Sequence, residues 1–206
     1  MRKAPWSPAP PTRRPPRPAG RHDGVTGRPA HRPRRRRFAT GYTTDPGSGA
    51  LHLFDDPGGQ WSAPPSFPSG GAGLVSTTGE FPALAELQRW GGSPLLSRPT
   101  VETMTADHLT PDQKAVSGLF PDDFAARGWG FCVGVVTRRD HPAAPVGQYG
   151  WDGGLGTIWR NDPAEGLVAV LLTNAAWTSP RPPPIAQDFL TGAYPAIDDR
   201  PSPTSR

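Results

Sequence analysis

Cysteine occurs once and lysine twice in these 206 residues, and the two scarcities remove several chemistries before any pattern is read. A lone Cys132 rules out an internal disulfide and any zinc site built from several thiolates. It stands in the alternating apolar run 128–137, where a buried structural thiol is expected. The five histidines (His22, His31, His52, His108, His141) include no pair four apart, so a His-x-x-x-His metal site is excluded and no metal is expected. No Gly-rich loop ends in Lys-Ser or Lys-Thr, which excludes a P-loop, and no cofactor is expected. No stretch approaches the roughly eighteen apolar residues of a membrane span. The first residues carry positive charge without the apolar core of a secretory signal, so the expected location is cytoplasmic.

What is abundant is proline and glycine, 29 and 25 residues, against 34% hydrophobic residues. Charge is divided unevenly along the chain. Residues 1–37 hold twelve Lys/Arg and the single acid Asp23, whereas residues 38–206 hold ten Lys/Arg and seventeen acids. The sequence is thus a +11 tail joined to a −7 remainder. Nine prolines and the run Arg34-Arg35-Arg36-Arg37 leave residues 1–37 without the apolar surface that offsets ordering entropy, and a disordered Arg/Pro-rich tail is expected there. Such a tail suits weak, nonspecific binding to polyanions. No aromatic interleaves the basic run to stack bases, which argues against a dedicated nucleic-acid module.

From Phe38 onward the texture becomes globular. Turn signals at Asp45-Pro46-Gly47-Ser48-Gly49 and Asp56-Pro57-Gly58-Gly59 flank Leu51-His52-Leu53-Phe54, predicting one short hairpin. Ser76-Thr77-Thr78 can cap a helix starting near Glu80, with Phe81, Leu84, Leu87 and Trp90 as its apolar set. A second helix is predicted from Arg98 or Pro99 to about Thr105, with Val101 and Met104 inward. Strands follow over 128–137, 146–151, 155–160 and 167–173, the last apolar enough to be covered on both faces. Asp152-Gly153-Gly154 and 161–166 read as turns, and 185–194 as a closing amphipathic helix with Ile185, Phe189 and Leu190 on one side. The class is α+β, an antiparallel sheet with flanking helices, over residues 38–198, with residues 199–206 a disordered C-terminus.

Several of these segments, taken in order, are familiar. Phe67-Pro68-Ser69-Gly70-Gly71-Ala72-Gly73-Leu74-Val75-Ser76-Thr77-Thr78 resembles the linker before a sheet-flanking helix in serine hydrolases of the β-lactamase and penicillin-binding-protein superfamily. Tyr149-Gly150-Trp151-Asp152-Gly153-Gly154-Leu155-Gly156-Thr157-Ile158-Trp159, then Asp162-Pro163 and Glu165 to Thr173, resembles that family's third-motif strand and the hairpin after it. Leu95 to Arg98, Met104-Thr105, His108 to Thr110 and Gly128 to Phe131 fall between them in the order the resemblance requires. The likeness covers residues 38–198 and implies a partial β-lactamase-like fold, with the sheet between helices and residues 184–195 closing it.

The resemblance also implies a chemistry. Whole members attack an ester, amide or lactam carbonyl with a serine, form an acyl-enzyme and release it with water, using a Ser-x-x-Lys pair, a Tyr-x-Asn-like triplet and a Lys-Thr-Gly-like triplet. Trp151-Asp152-Gly153 occupies the last triplet without its cation, and by this resemblance the implied substrates tilt toward esters or other small acyl compounds. Gly153 would admit a substrate close to the backbone, and Gly154 would offer one oxyanion-hole N–H. Trp151 is expected as a pocket wall or as plain core, and Asp152 as a solvated turn carboxylate. The rest of the machinery is missing. Pro111, not serine, stands three residues before Lys114, nothing stands three before Lys3, and no tyrosine is followed two residues later by asparagine. No catalytic residue is therefore assigned. The reading is a truncated or mis-started serine hydrolase, inactive alone; a non-catalytic small-molecule binding module and nucleic-acid binding through the basic tail 1–37 are the alternatives.

Overall fold

The computed structural model describes residues 38–63, 67, 75–78, 96–118, 120 and 122–197. The basic tail, the helix expected from Glu80 and residues 199–206 lie outside the described residues. Among those described, the α+β class holds. A two-stranded antiparallel hairpin, β1 (Gly41–Thr44) with β2 (Leu51–Asp55), precedes two short helices, α1 (Arg98–Met104) and α2 (Pro111–Val116). Five antiparallel strands then form one sheet in chain order: β3 (Arg127–Trp129), β4 (Gly134–Val136), β5 (Tyr149–Gly153), β6 (Thr157–Asp162) and β7 (Leu167–Leu172). Helix α3 (Pro184–Ala193) follows, continuing into a 3₁₀ turn at Tyr194–Ala196.

Local chemistry sets the boundaries. The β1–β2 turn closes because the Asp45 carboxylate accepts from the backbone N–H groups of Gly47 and Ser48, at 3.1 and 2.7 Å. Helix α1 starts where Ser97 accepts from Thr100 N–H and Pro99 fills the first turn. The sequence reading did not anticipate α2, whose start is a capping box: Thr110 accepts from Gln113 N–H while Gln113 accepts from Thr110 N–H.

The expected strand over 128–137 is two strands joined by a tight turn. Residues 130–133 leave the ladder, and Cys132 adopts φ +68 and is exposed. Alternation concealed this turn, so the expectation of a buried thiol is corrected. Val133 and Val135 from that run pack with Tyr149 and Trp159, and Val136 is buried as well. Strand β5 starts at Tyr149 rather than Val146 because Gly147 turns the chain at φ +90. Strand β6 starts two residues later than expected, since Leu155 and Gly156 belong to the hairpin loop.

Strand β7 differs more. It ends the sheet, and only Ala169 along it is buried. The expected cover on both faces is absent among the described residues. Helix α3 also turns differently from its pattern, with Ala186 buried and Ile185 about half exposed. It is fastened instead by a polar contact. Tyr194 Oη donates to the buried Asp162 carboxylate at 2.7 Å, and Gln148 Nε2 donates to Tyr194 Oη at 2.7 Å. Burial and the neighbouring Asp162 carboxylate raise the Tyr194 phenol well above its ordinary range, so it is always a donor at working pH.

Candidate functional site

The β5–β6 hairpin carries the four residues that the sequence singled out. Its register pairs Trp151 with Trp159, Asp152 with Ile158, and Gly153 with Thr157. Residues paired across an antiparallel ladder share a face. Tyr149, Trp151 and Gly153 therefore lie on one face with Asn161, Trp159 and Thr157, while Gly150 and Asp152 share the other with Arg160 and Ile158.

Trp151 is 39% exposed and meets Trp129 edge-to-face at 4.6 Å between ring centroids. It is braced, yet it leaves part of its ring surface open. Beneath it on the same face, Tyr149 Oη accepts from Asn161 Nδ2 at 3.0 Å, and Tyr149 meets Trp159 edge-to-face. This buried layer fixes the strand on which Trp151 stands. Burial raises the Tyr149 phenol above its ordinary value.

Asp152 is not a solvated turn carboxylate. It lies within β5, paired with Arg160, its diagonal neighbour on the same face of β6, and each side chain is 11% exposed. Arg160 Nη2 donates to Asp152 Oδ2 at 2.7 Å, and Nη1 lies 2.6 Å from Oδ1 while also donating to the Trp159 carbonyl. The glycines after Asp152 suggested a turn one residue too early. Its partner stands eight positions away, visible only once the hairpin register is known.

Gly153 and Gly154 differ in what surrounds them. A Cβ on Gly153 would collide with the Thr157 hydroxyl, so the missing side chain makes room for that neighbour. Gly154 faces open space, with no heavy atom within 4 Å of where a Cβ would stand. Its carbonyl accepts from Trp177 N–H at 2.8 Å, which fixes the loop peptide from the outer side. Gly156, at φ +89, closes the loop and accepts from both Thr173 N–H and Thr173 Oγ1. The loop is thus held by the chain leaving β7.

Two further features were not read from the sequence. The Asp107 carboxylate accepts from Trp129 N–H and Leu109 N–H, each at 3.1 Å, and pairs with Lys114. Gly128 makes room for it, because a Cβ there would overlap the carboxylate. Burial pushes the Asp107 pKa up, but Lys114 and the two backbone donors outweigh it and hold the group below its ordinary value. Lys114, one of the two lysines, is thereby committed to a structural ion pair. Behind the hairpin loop, an open cleft of about 470 Å³ is lined by Gly156, Ile158, Thr173, Trp177, Arg181 and Ile185 among others. Trp151, Asp152, Gly153 and Gly154 are not among its walls. No group of three or more metal-ligating side chains occurs among the described residues, and no described helix is long and apolar enough to cross a membrane.

Comparison with known proteins places this geometry. The beta-lactamase family model matches residues 10–190. Two curated Mycobacterium tuberculosis proteins, the uncharacterized protein MT1414 of strain CDC 1551 / Oshkosh and protein Rv1367c of strain H37Rv, are each 32% identical over 146 residues. That alignment covers 66% of this chain and 36% of each relative. Among solved structures, a LovD6 mutant of simvastatin synthase from Aspergillus terreus superposes with a TM-score of 0.62 at 20% identity, over 80% of this chain and 42% of that one. EstCE1, a hydrolase with promiscuous acyltransferase activity, superposes at 0.50 with 25% identity, over 68% of this chain and 39% of its own. The chain spans well under half the length of these relatives. The hairpin with Trp151 open on one face and Asp152 locked on the other belongs to a partial β-lactamase-like fold, and the chain is a member of the beta-lactamase family of serine hydrolases.

Proposed function

We propose that this chain carries the substrate-edge strand of an acyl-processing serine hydrolase and does not by itself turn substrate over. The observation that carries the reading is a contrast within one molecule. The third-motif strand is fully built, with Trp151 exposed and braced by Trp129 and with Gly154 open beside it. The nucleophile and its base have no counterpart, since neither lysine follows a serine by three residues and Lys114 is paired with Asp107. In this reading Trp151 forms an apolar wall for a small uncharged acyl or aryl group, in place of the cation that would attract a carboxylate. The Gly154 N–H is one donor toward a carbonyl oxygen. Loss of a nucleophile–base unit typically costs about 10⁴–10⁶ in rate, which is the whole of any observable activity here. Residues 1–206, purified, should therefore hydrolyse nitrocefin and p-nitrophenyl butyrate no faster than buffer. Saturable turnover blocked by a serine-directed inhibitor would contradict the proposal.

Binding without chemistry is the second reading, favoured by the exposure of Trp151. It predicts saturable binding of p-nitrobutyranilide, an unreactive aryl amide, weakened about tenfold in Trp151→Ala, the worth of roughly 1.4 kcal/mol of aromatic contact. Absence of saturable binding would remove this reading.

A further inference from the structure

Trp129 and Trp151 meet across an intervening strand. Trp129 stands on β3 and Trp151 on β5, with β4 between them. The contact passes Gly134 of β4, where a Cβ would stand 3.9 Å from Trp129 Cζ3, so a larger side chain there would meet the indole. Whatever sets the Trp129 ring therefore sets the surface against which Trp151 leans. The ladder with β4 does not hold Trp129 by hydrogen bonds of its own. In an antiparallel pair alternate residues bond across the ladder, and Gly130 N–H takes that place by donating to the Val133 carbonyl at 2.9 Å. Trp129 directs both its backbone groups to the connection between α1 and α2. Its N–H donates to Asp107 Oδ1 at 3.1 Å, and its carbonyl accepts from His108 N–H at 2.9 Å.

The surroundings of Asp107 fit it to that contact. Its two oxygens are divided: Oδ1 accepts from Leu109 N–H and Trp129 N–H, while Oδ2 pairs with Lys114, which fixes the rotation of the carboxylate. A charged acceptor makes such bonds stronger than neutral ones. Gly128, the residue before Trp129, lets the carboxylate come this close, because a Cβ there would overlap all three carboxyl atoms. On the other side of Trp129, a Cβ at Gly130 would overlap the Met104 carbonyl, and Phe131 N–H donates to that carbonyl at 2.9 Å. We propose that Asp107 is a positioning residue for the Trp151 wall, acting through the backbone and ring of Trp129. It fixes β3 at the height at which the two indoles meet edge-to-face. The consequence for ligand binding rests on the reading of Trp151 as a binding wall, whereas the placement of the indole pair does not.

The test uses the whole chain labelled with fluorotryptophan, in which the fluorine resonance of Trp151 is identified by its loss in Trp151→Phe. Trp129→Ala should shift that resonance, because the ring current of the second indole is gone. Asp107→Ala should move it toward the same position. Gly128→Ala, which displaces the carboxylate without removing it, should move it in the same direction. Asp107→Asn keeps an acceptor oxygen for Trp129 N–H and should hold the resonance near its parent position. Tyr194→Phe weakens the chain at the contact of α3 with Asp162 and should leave the resonance unmoved. In titrations, p-nitrobutyranilide should bind several-fold more weakly to Asp107→Ala and with parent affinity to Asp107→Asn. A Trp151 resonance that stays in place in both Asp107→Ala and Gly128→Ala would overturn the positioning role. So would one that Tyr194→Phe moves as far, since general loosening would then account for the shift. A chain that shows the expected shifts yet binds no anilide would overturn the binding reading and leave the positioning role standing.

Discussion

Single side chains in this protein act mostly by where they let others stand. Gly128 is glycine because the Asp107 carboxylate fills the place of its Cβ. Gly128→Ala should cost about 1–3 kcal/mol as an overpacking change, read as a lower midpoint in urea with an unchanged slope. Asp107 also gives a pH dependence with a definite sign. Its pKa is depressed in the folded chain, so its contribution is present above the unfolded value near 3.8 and is lost as pH falls through the lower folded value. Asp107→Asn should remove that acid-side decline, whereas an unchanged acid profile would mean the carboxylate is unpaired in solution. Arg160→Ala should be harsher, about 3–5 kcal/mol, because it strands the Asp152 carboxylate with 11% exposure and no counter-charge. Arg160→Met combined with Asp152→Leu should recover most of that loss. Equal losses in the single and double variants would show the pair to be solvated.

At the scale of elements, legibility in the sequence followed range. The β5–β6–β7 order was legible because turn residues and apolar runs are local signals, and the class read from them stands. The split at 130–133 was not, because Cys132 continues the apolar alternation while its backbone turns left-handed. Asp152 was misread for a related reason: Gly153-Gly154 resembles a turn, and the true turn is set by Gly156 and by Thr173 some seventeen residues on. Thr110-Pro111-Asp112-Gln113 is a local capping-box signal and does mark the start of α2. The docking of α3 shows the same limit, since its pattern favoured Ile185 whereas the fastening is Tyr194 on Asp162, thirty-two residues away. Tyr194→Phe should leave the far-ultraviolet spectrum intact and cost about 1–3 kcal/mol, because it takes a donor from the buried Asp162 carboxylate and an acceptor from Gln148. A loss below a few tenths of a kcal/mol would show that apolar contacts alone hold the helix.

For the whole molecule, the described residues build part of a β-lactamase-like arrangement. Asp107 and Gly128 tie α2 to β3, Arg160 pins the back of β5, and Thr173 and Trp177 hold the loop that presents Gly154. Each of these supports the sheet from whose middle strand Trp151 faces outward. The measurement that tests the proposed lack of turnover most directly is the intact mass of residues 1–206 after exposure to a fluorophosphonate, which labels any serine activated by a neighbouring base. The account predicts no adduct under conditions where a whole family member is labelled to completion. One adduct per chain on a single serine, appearing together with ester turnover, would contradict it.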